Sequence, residues 1–370
     1  MTQSAPKRLT PVVAFCAALE LSAKHWRLAF TDGERIRQVT CPAGDFERLK
    51  QHVAKARKQM QVGEEVALHT CYEAGRDGFG IHRQLEMMGI QNVVVDSASI
   101  LVSRRARRAK TDSLDAESLV RLLFQYVRGD RKVWSVVNVP SIEMEDARRV
   151  DRERERLTKE KTQHQSRIRS LLVAQGFELG ALKELPAVVK QLRDSRPRLA
   201  EELVREQERL NVVLTQMKAL DEHRRDLLEA EELPWADKAV RLAQLKGIGP
   251  QTASVLSSEF FGWRKFKNGK QVGSCAGLTP TPHSSGQLNR EQGISKAGSR
   301  RIRRIIVEVA WVWLRYQGES ALAQWFERRF SKHGSRSRRV GIVALARKLL
   351  VALWEYLERG VVPQGALMKT

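Results

Sequence analysis

The chain's 370 residues carry 65 Lys and Arg against 43 Asp and Glu, a formal charge of +22, with 42% hydrophobic residues. The apolar content supports buried cores and excludes a disordered tail, and the positive excess points to a polyanion, DNA or RNA. No apolar run approaches transmembrane length, which sets a basic membrane-surface protein aside.

At this length two or three domains are expected. The opening MTQSAPKRLT lacks a signal-peptide pattern, because its apolar stretch starts late and is short. Cys16, Cys41, Cys71 and Cys275 are scattered, with no CxxC pair and no histidine at zinc spacing. They read as reduced, mostly buried thiols of a cytosolic protein.

Residues 10–135 read as an α/β domain. The apolar runs Val12–Phe15 and Trp26–Phe30 flank a short polar break, as two hairpin strands would. Val66–Leu68 and Val93–Val95 are short buried strands, with a helix over Ile81–Met88 stopped by Gly89. Glu20 sits in Ala17–Ala23, just past the first apolar run, where an unpartnered charge is costly, and Glu73 sits in Cys71–Gly75 after the Val66–Leu68 strand. Next comes SRRARRAKTDSLDA, in which Arg104, Arg105, Arg107, Arg108 and Lys110 run directly into Asp112 and Asp115. Spacing i, i+3 places both carboxylates on one face at the start of a helix through Leu119, Val120, Leu122 and Leu123. Two readings follow: an acidic helix start favoured by the dipole, or a hard-oxygen pair for Mg²⁺ behind a phosphate-attracting arm.

Residues 140–232 are charged and nearly free of glycine. Leu203, Leu210 and Met217 interleave with Val213, Leu220 and Leu227 at heptad spacing. This is a long coiled-coil helical insertion, with Ile168, Leu171 and Leu172 on a partner helix and Gln175–Pro186 as the turn. A spacer or dimerisation stalk is the reading such heptads favour.

Residues 233–360 form a mostly α domain. It opens on LKGIGPQTA, where Lys246, Gly247 and Gly249 lie in a helix-hairpin-helix signature whose backbone N–H groups would face a DNA phosphate. The Pro/Ser/Gly loop Cys275–Gly286 then leads to GISKAGSRRIRR, with Lys296, Arg300, Arg301, Arg303 and Arg304 before an apolar helix. Hydroxyls beside cations could host a nucleophile for a phosphodiester. Arg300–Arg304 and Arg336–Arg339 either touch phosphate or form a solvated basic face, and Trp311, Trp313, Trp325 and Trp354 read as core.

Taken together, ALELS, CYEAG, RRARRAKTDSLDA, LKGIGPQTA and AGLTPTPHSSG…GISKAGSRRIRR resemble the IS110/IS1111 family of insertion-sequence transposases, over about Val12 to Arg338. The resemblance implies an N-terminal RuvC-like, RNase H-type domain, a coiled coil and a C-terminal domain bearing a serine. It places the family's Asp-Glu-Asp-Asp tetrad on Glu20, Glu73, Asp112 and Asp115, with a glutamate one methylene longer at the first position. The serine matches Ser285, with Ser284 the adjacent alternative and His283 a candidate base. Also implied are Mg²⁺ or Mn²⁺, DNA, an element-encoded guide RNA, a homo-oligomer (dimer or tetramer) and a bacterial, cytoplasmic, nucleoid-associated location. Two other classes stay open: a RuvC-type endonuclease that uses water, and a non-catalytic nucleic-acid-binding protein.

Overall fold

The computed structural model describes residues 14–100, 112–285, 288–331 and 334–369, and within them not the side chains of residues 98, 112, 113, 282–285 and 288–292. The basic run Arg104, Arg105, Arg107, Arg108 and Lys110 lies outside the described residues. There are two compact units, Met1–Val139 and Pro140–Thr370.

The first unit is a mixed α/β sheet. Strands β1 (Phe15–Leu21), β2 (His25–Thr31) and β3 (Ile36–Pro42) form an antiparallel meander, followed by α1 (Phe46–Met60), β4 (Leu68–Glu73), α2 (Gly80–Met87), β5 (Gln91–Val95) and α3 (Asp112–Val127). The sheet order is β3-β2-β1-β4-β5, with β4 parallel to both β1 and β5. β1 is central, and helices cover both of its faces. Phe15, Ala17 and Leu19 pack with Leu49 and Met60 of α1 and Leu85 of α2. The alternate residues Cys16 and Ala18, with Ala29 and Cys71, meet Ala116, Leu119, Val120 and Leu123 of α3. Small side chains on this second face let α3 approach the backbone closely.

The strand at Trp26–Phe30, the 81–88 helix and the 93–95 strand are where the sequence puts them, whereas the first hairpin strand, read at Val12–Phe15, lies at Phe15–Leu21. The strand read at Val66–Leu68 lies instead at Leu68–Glu73, because the ladder to β1 starts at Leu68. β3, a half-exposed edge strand, and α1, whose apolar residues Phe46, Leu49, Val53, Ala56 and Met60 recur at helical spacing among charged ones, escape the sequence reading.

The second unit is helical apart from one hairpin. α4 (Ile142–Ala147) leads into α5 (Arg149–Val173), α6 (Leu185–Ser195) and the 33-residue α7 (Pro197–Glu229). α5 and α7 lie antiparallel. Leu157 packs with Val213 and Met217 at one end, and Ile168 and Leu172 with Leu203 and Leu210 at the other. The heptad seam is thus filled within one chain. One seam position is Glu206, 1% exposed, whose carboxylate meets His164 at 2.7 Å and accepts from Arg167 at 3.0 Å and Arg209 at 2.7 Å.

Beyond it come α8 (Ala236–Ala243), α9 (Pro250–Leu256), α10 (Gly269–Cys275), β6 (Pro280–Ser285), β7 (Leu288–Ile294), α11 (Arg300–Tyr316), α12 (Ala321–Phe330) and α13 (Gly334–Arg359). The segment read as a Pro/Ser/Gly loop is an antiparallel hairpin, Ser285 pairing with Leu288. Prolines 280 and 282 are tolerated because a two-stranded ribbon leaves its outer edges unpaired. Trp313 and Trp354 are core as expected, whereas Trp311 is 41% exposed and Trp325 is half-buried.

A buried ionic network binds α5 to the C-terminal helices. α9 continues into a π-helical turn, Ser257–Phe261, that carries Glu259. Arg152 donates to Glu259 at 2.6 and 3.0 Å, Arg301 donates to it as well, and Arg301 also pairs with Glu155 at 2.7 Å. Ser254 and Ser258 donate to Asp151 at 2.7 and 3.1 Å. Burial pushes the Asp151 carboxyl up, against the lowering effect of those serines and Arg224. Burial alone would raise Glu259 too, but the Arg152 hydrogen bond and the Arg301 and Arg148 charges hold it below the usual glutamate range.

Glu259→Gln would leave Arg152 and Arg301 facing an uncharged amide in a mostly buried site, an expected loss of about 3 kcal/mol by chemical denaturation. A depressed carboxyl contributes stability above its unfolded pKa and loses it as pH falls through the folded value. The difference between wild type and variant should therefore shrink between about pH 5 and pH 2.

Candidate active site

The parallel register of β1 and β4 pairs Phe15 with Leu68 and Leu19 with Tyr72. The residues that follow, Glu20 and Glu73, lie near the ends of β1 and β4 and stand side by side on strands about 4.8 Å apart. Alternation puts Glu20 on the face of Cys16 and Ala18, and Glu73 on the face of Cys71, which is the face covered by α3.

The direction of α3 then decides where its acidic start goes. The β2–β3 turn is built by Asp32, whose Oδ1 accepts from the amides of Glu34 at 2.9 Å and Arg35 at 2.8 Å. Gly33, at φ +97°, lies under the Phe124 ring, near the level of Cys16 because Thr31 pairs with Cys16. Gln38, level with Ala29 and hence Ala18, donates to Glu117 at 3.4 Å. α3 therefore runs antiparallel to β1, and its first turn heads for the end of β1 where Glu20 stands. Asp115 precedes the buried Leu119 by four residues, which puts it on the buried stripe of the helix. Asp115 is half-buried, and the side chain of Asp112 lies outside the described residues.

Glu20, Glu73 and Asp115 are thus brought to one end of one sheet face. The donor set is all hard oxygen and suits Mg²⁺ or Mn²⁺ rather than a soft metal. Among the described residues no three His, Cys, Asp or Glu side chains come close enough to hold a metal ion.

Arg27 is the residue that the sequence reading missed. It pairs directly with Glu20 across the β1–β2 ladder and is fixed by Gln38 at 3.2 Å and Thr40 at 2.9 Å. The tight turn Ser22–Lys24 could have revealed it, since closing that hairpin aligns Glu20 with Arg27. Beside the site, burial drives the Cys16 thiol up to about 12 and the Cys71 thiol well above its ordinary value, so neither is a nucleophile.

The serine stands in the other unit. Ser285 closes β6 opposite Leu288, with Ser284 opposite Asn289 and His283 opposite Arg290. The side chains of all three residues lie outside the described residues. Of the cations after the hairpin, Lys296 and Arg300 are exposed, and Arg304 donates to Glu155 at 2.6 Å. Arg301 belongs to the Glu259 network, and Arg303 donates to the carbonyls of Ala276 and Lys296, both at 3.1 Å. Those two side chains hold the fold together.

The LKGIGP segment joins α8 to α9 by a tight turn, with Gly247 at φ +92° and Gly249 capping a helix that begins at Pro250. Lys246 and Gly249 are exposed, but the amide of Lys246 donates to Leu367 at 3.0 Å and that of Ile248 to Leu245 at 3.1 Å. Two amides that a phosphate would have met are committed inside the protein.

Two outcomes test this geometry. Gly33→Ala adds a methyl 2.3 Å from Phe124 Cζ at a left-handed φ, and should cost about 2 kcal/mol by thermal or chemical denaturation. Iodoacetamide at pH 7.5 should label Cys275, which is half-buried, and leave Cys16, Cys41 and Cys71 unmodified by mass spectrometry until the chain is unfolded.

The likeness to known proteins reaches into both units. A DEDD-type IS110 transposase model matches residues 22–176, which includes Glu73, Asp112 and Asp115 and starts just after Glu20. A model described as Transposase IS116/IS110/IS902 family matches residues 239–326, which includes the hairpin and Ser285. A candidate transposase of Sinorhizobium fredii, y4rJ, is 41% identical over 96% of this chain and 95% of its own length. The transposase for insertion sequence element IS1328 of Yersinia enterocolitica is 26% identical over 68% of this chain and 73% of its own. That for IS1111A of Coxiella burnetii is 27% identical over 68% and 67%. With a relative this similar along nearly its whole length, the chain belongs to the IS116/IS110/IS902 family of transposases.

Proposed function

We propose that this transposase cuts and rejoins the DNA of an insertion sequence with a carboxylate site formed by Glu20, Glu73, Asp112 and Asp115 and a serine nucleophile, Ser285. The observation that carries the reading is the β1–β4 register, which sets Glu20 beside Glu73 beneath a helix that starts at Asp112. Carboxylates gathered this way repel one another unless a cation sits among them. The four would hold Mg²⁺ or Mn²⁺, which when bound polarises the scissile phosphate and offsets charge developing on its oxygens.

The protein's own groups do the rest. Arg27, fixed opposite Glu20, tempers the negative field at the sheet end. Arg104, Arg105, Arg107, Arg108 and Lys110 draw the phosphate backbone in, and Lys246, Gly247, Gly249, Lys296 and Arg300 extend the contact with DNA. Ser285 Oγ attacks phosphorus, the P–O3′ bond breaks, and the hydroxyl proton passes to the leaving 3′ oxygen, directly or through a base such as His283. This gives a 5′-phosphoserine and a free 3′-hydroxyl, and the reverse attack on a second duplex rejoins the strand.

Pairing with an element-encoded RNA would select the sequence while the protein reads backbone, in keeping with a charge of +22. Two duplexes must be held together, so the working form is a dimer or tetramer. Since the α5–α7 seam is filled within the chain, the apolar residues that α7 leaves exposed, Val212 and Leu214, offer surface for that assembly.

Labelled DNA with Mg²⁺ tests the scheme. Wild type should give a protein–DNA adduct on a denaturing gel. Asp112→Ala and Glu73→Gln should lose cleavage by at least a hundredfold while retaining DNA binding. Ser285→Ala should lose the adduct and strand transfer. Cleavage that persists in Ser285→Ala would assign the nucleophile to water, and cleavage independent of divalent metal would remove the carboxylate site from the chemistry.

A further inference from the structure

We propose that a cavity in the C-terminal unit is a binding site for unpaired DNA, namely the few nucleotides that adjoin the phosphate cut by the serine. This rests on the reading of Ser285 as the DNA-cutting group.

The cavity, of about 1100 Å³, is bounded by α10, α12, α13 and the base of the β6–β7 hairpin. Leu278, Ile294, Leu322, Val343 and Val351 make it apolar, and half-buried Trp325 forms part of its wall. Around this apolar surface stand Lys270, Arg336, Arg339, Arg347 and Lys348, with Glu355 the one carboxylate among the lining residues. Among the described residues, Lys270, Arg336, Arg339 and Arg347 make no ion pair. That sets them apart from Arg152, Arg154, Arg224 and Arg301, which are consumed by carboxylates of the same unit.

Arg336 and Arg339 also sit near the start of α13, which has no acidic residue in its first turn. Cations there oppose the helix dipole, an arrangement that a bound anion relieves.

The occupant must therefore be anionic and apolar at once. A double helix offers phosphates but hides its base faces, whereas an unpaired strand offers both. Trp325 brings an aromatic ring to this wall, with Lys348 Nζ 4.9 Å from its centroid and the Phe330 ring crossing it at 69° with centroids 5.5 Å apart. The commitment to DNA comes from position. Pro280 and Ile294 line the cavity and are the paired base of the hairpin whose tip carries Ser285. Five residues of strand span about 16 Å, or roughly five nucleotides at 3.4 Å each, so a strand lying on the serine reaches the cavity within that distance.

The test uses the full chain and a ten-nucleotide oligo-dT carrying 5-iodouracil. Irradiation should crosslink the probe to the peptide that contains Trp325. Trp325→Ala should weaken oligo-dT binding roughly tenfold, and Trp325→Phe much less, with circular dichroism and the unfolding midpoint reporting that each variant is folded. Arg336→Ala with Arg339→Ala should flatten the slope of log K against log salt by about 1.4.

The proposal is overturned if folded Trp325→Ala binds oligo-dT as wild type does, or if binding of a duplex of equal length falls as much as that of oligo-dT. It is overturned equally if oligo-U displaces the probe more strongly than oligo-dT, which would make this an RNA site. A lower oligomeric mass in Trp325→Ala with unchanged oligo-dT binding would make it a contact between copies. Failure of the serine reading looks different: wild type then forms no phosphoserine adduct while the crosslink still maps to Trp325.

Discussion

The pairing of β1 with β4 is the constraint on which the N-terminal unit turns. Both faces of these strands are covered, so neither tolerates a charge along its middle, and a carboxylate can appear only toward the strand's end. In-phase parallel pairing brings two such ends together. A slip of one residue would send Glu20 to the α1 side while Glu73 stayed on the α3 side, which is why the register and the hydrophobic alternation have to agree. The small residues Cys16, Ala18, Ala29 and Cys71 then let α3 lie close enough for its first turn to join the same end.

In the C-terminal unit the dominant problem is the disposal of positive charge. Several arginines are tied up in ion pairs. Glu259 takes Arg152 and Arg301, Asp221 takes Arg154 and Arg224, and Glu206 takes Arg167 and Arg209. Cations without such a partner therefore carry more information than the net charge of +22. The cluster around Trp325 stands out for this reason.

Motif order and chemistry make the carboxylate set legible in the sequence, because Glu20, Glu73 and Asp115 each sit at the edge of an apolar run. Their convergence is not legible, since it depends on the parallel register and on the direction of α3, both set by contacts remote in the chain. Arg27 was hidden for the same reason, its meaning coming from the residue across the ladder. The RRIRR run illustrates the converse: four similar cations in sequence divide into Arg301 and Arg303, turned inward, and Arg300 and Arg304, turned outward, because helical periodicity separates them. The heptads of α7 and a partner helix carrying Ile168, Leu171 and Leu172 were both readable, and what escaped is α6, which stands between them where a turn was read. The hairpin was read as a loop because Pro and Gly mask strand character wherever both strands are edges.

The π-helical turn at Ser257–Phe261 has a consequence for how this protein can drift. A π turn holds one residue more than the α-helix that flanks it. That surplus helps Ser254 and Ser258 both reach Asp151 while the adjacent Glu259 faces Arg152 and Arg301. Loss of a single codon, which an exposed loop would absorb, would here rotate everything beyond by about 100° and part the carboxylate from its arginines. The segment is thus closed to insertion or deletion, so chain length at this point is under the same physical constraint as residue identity.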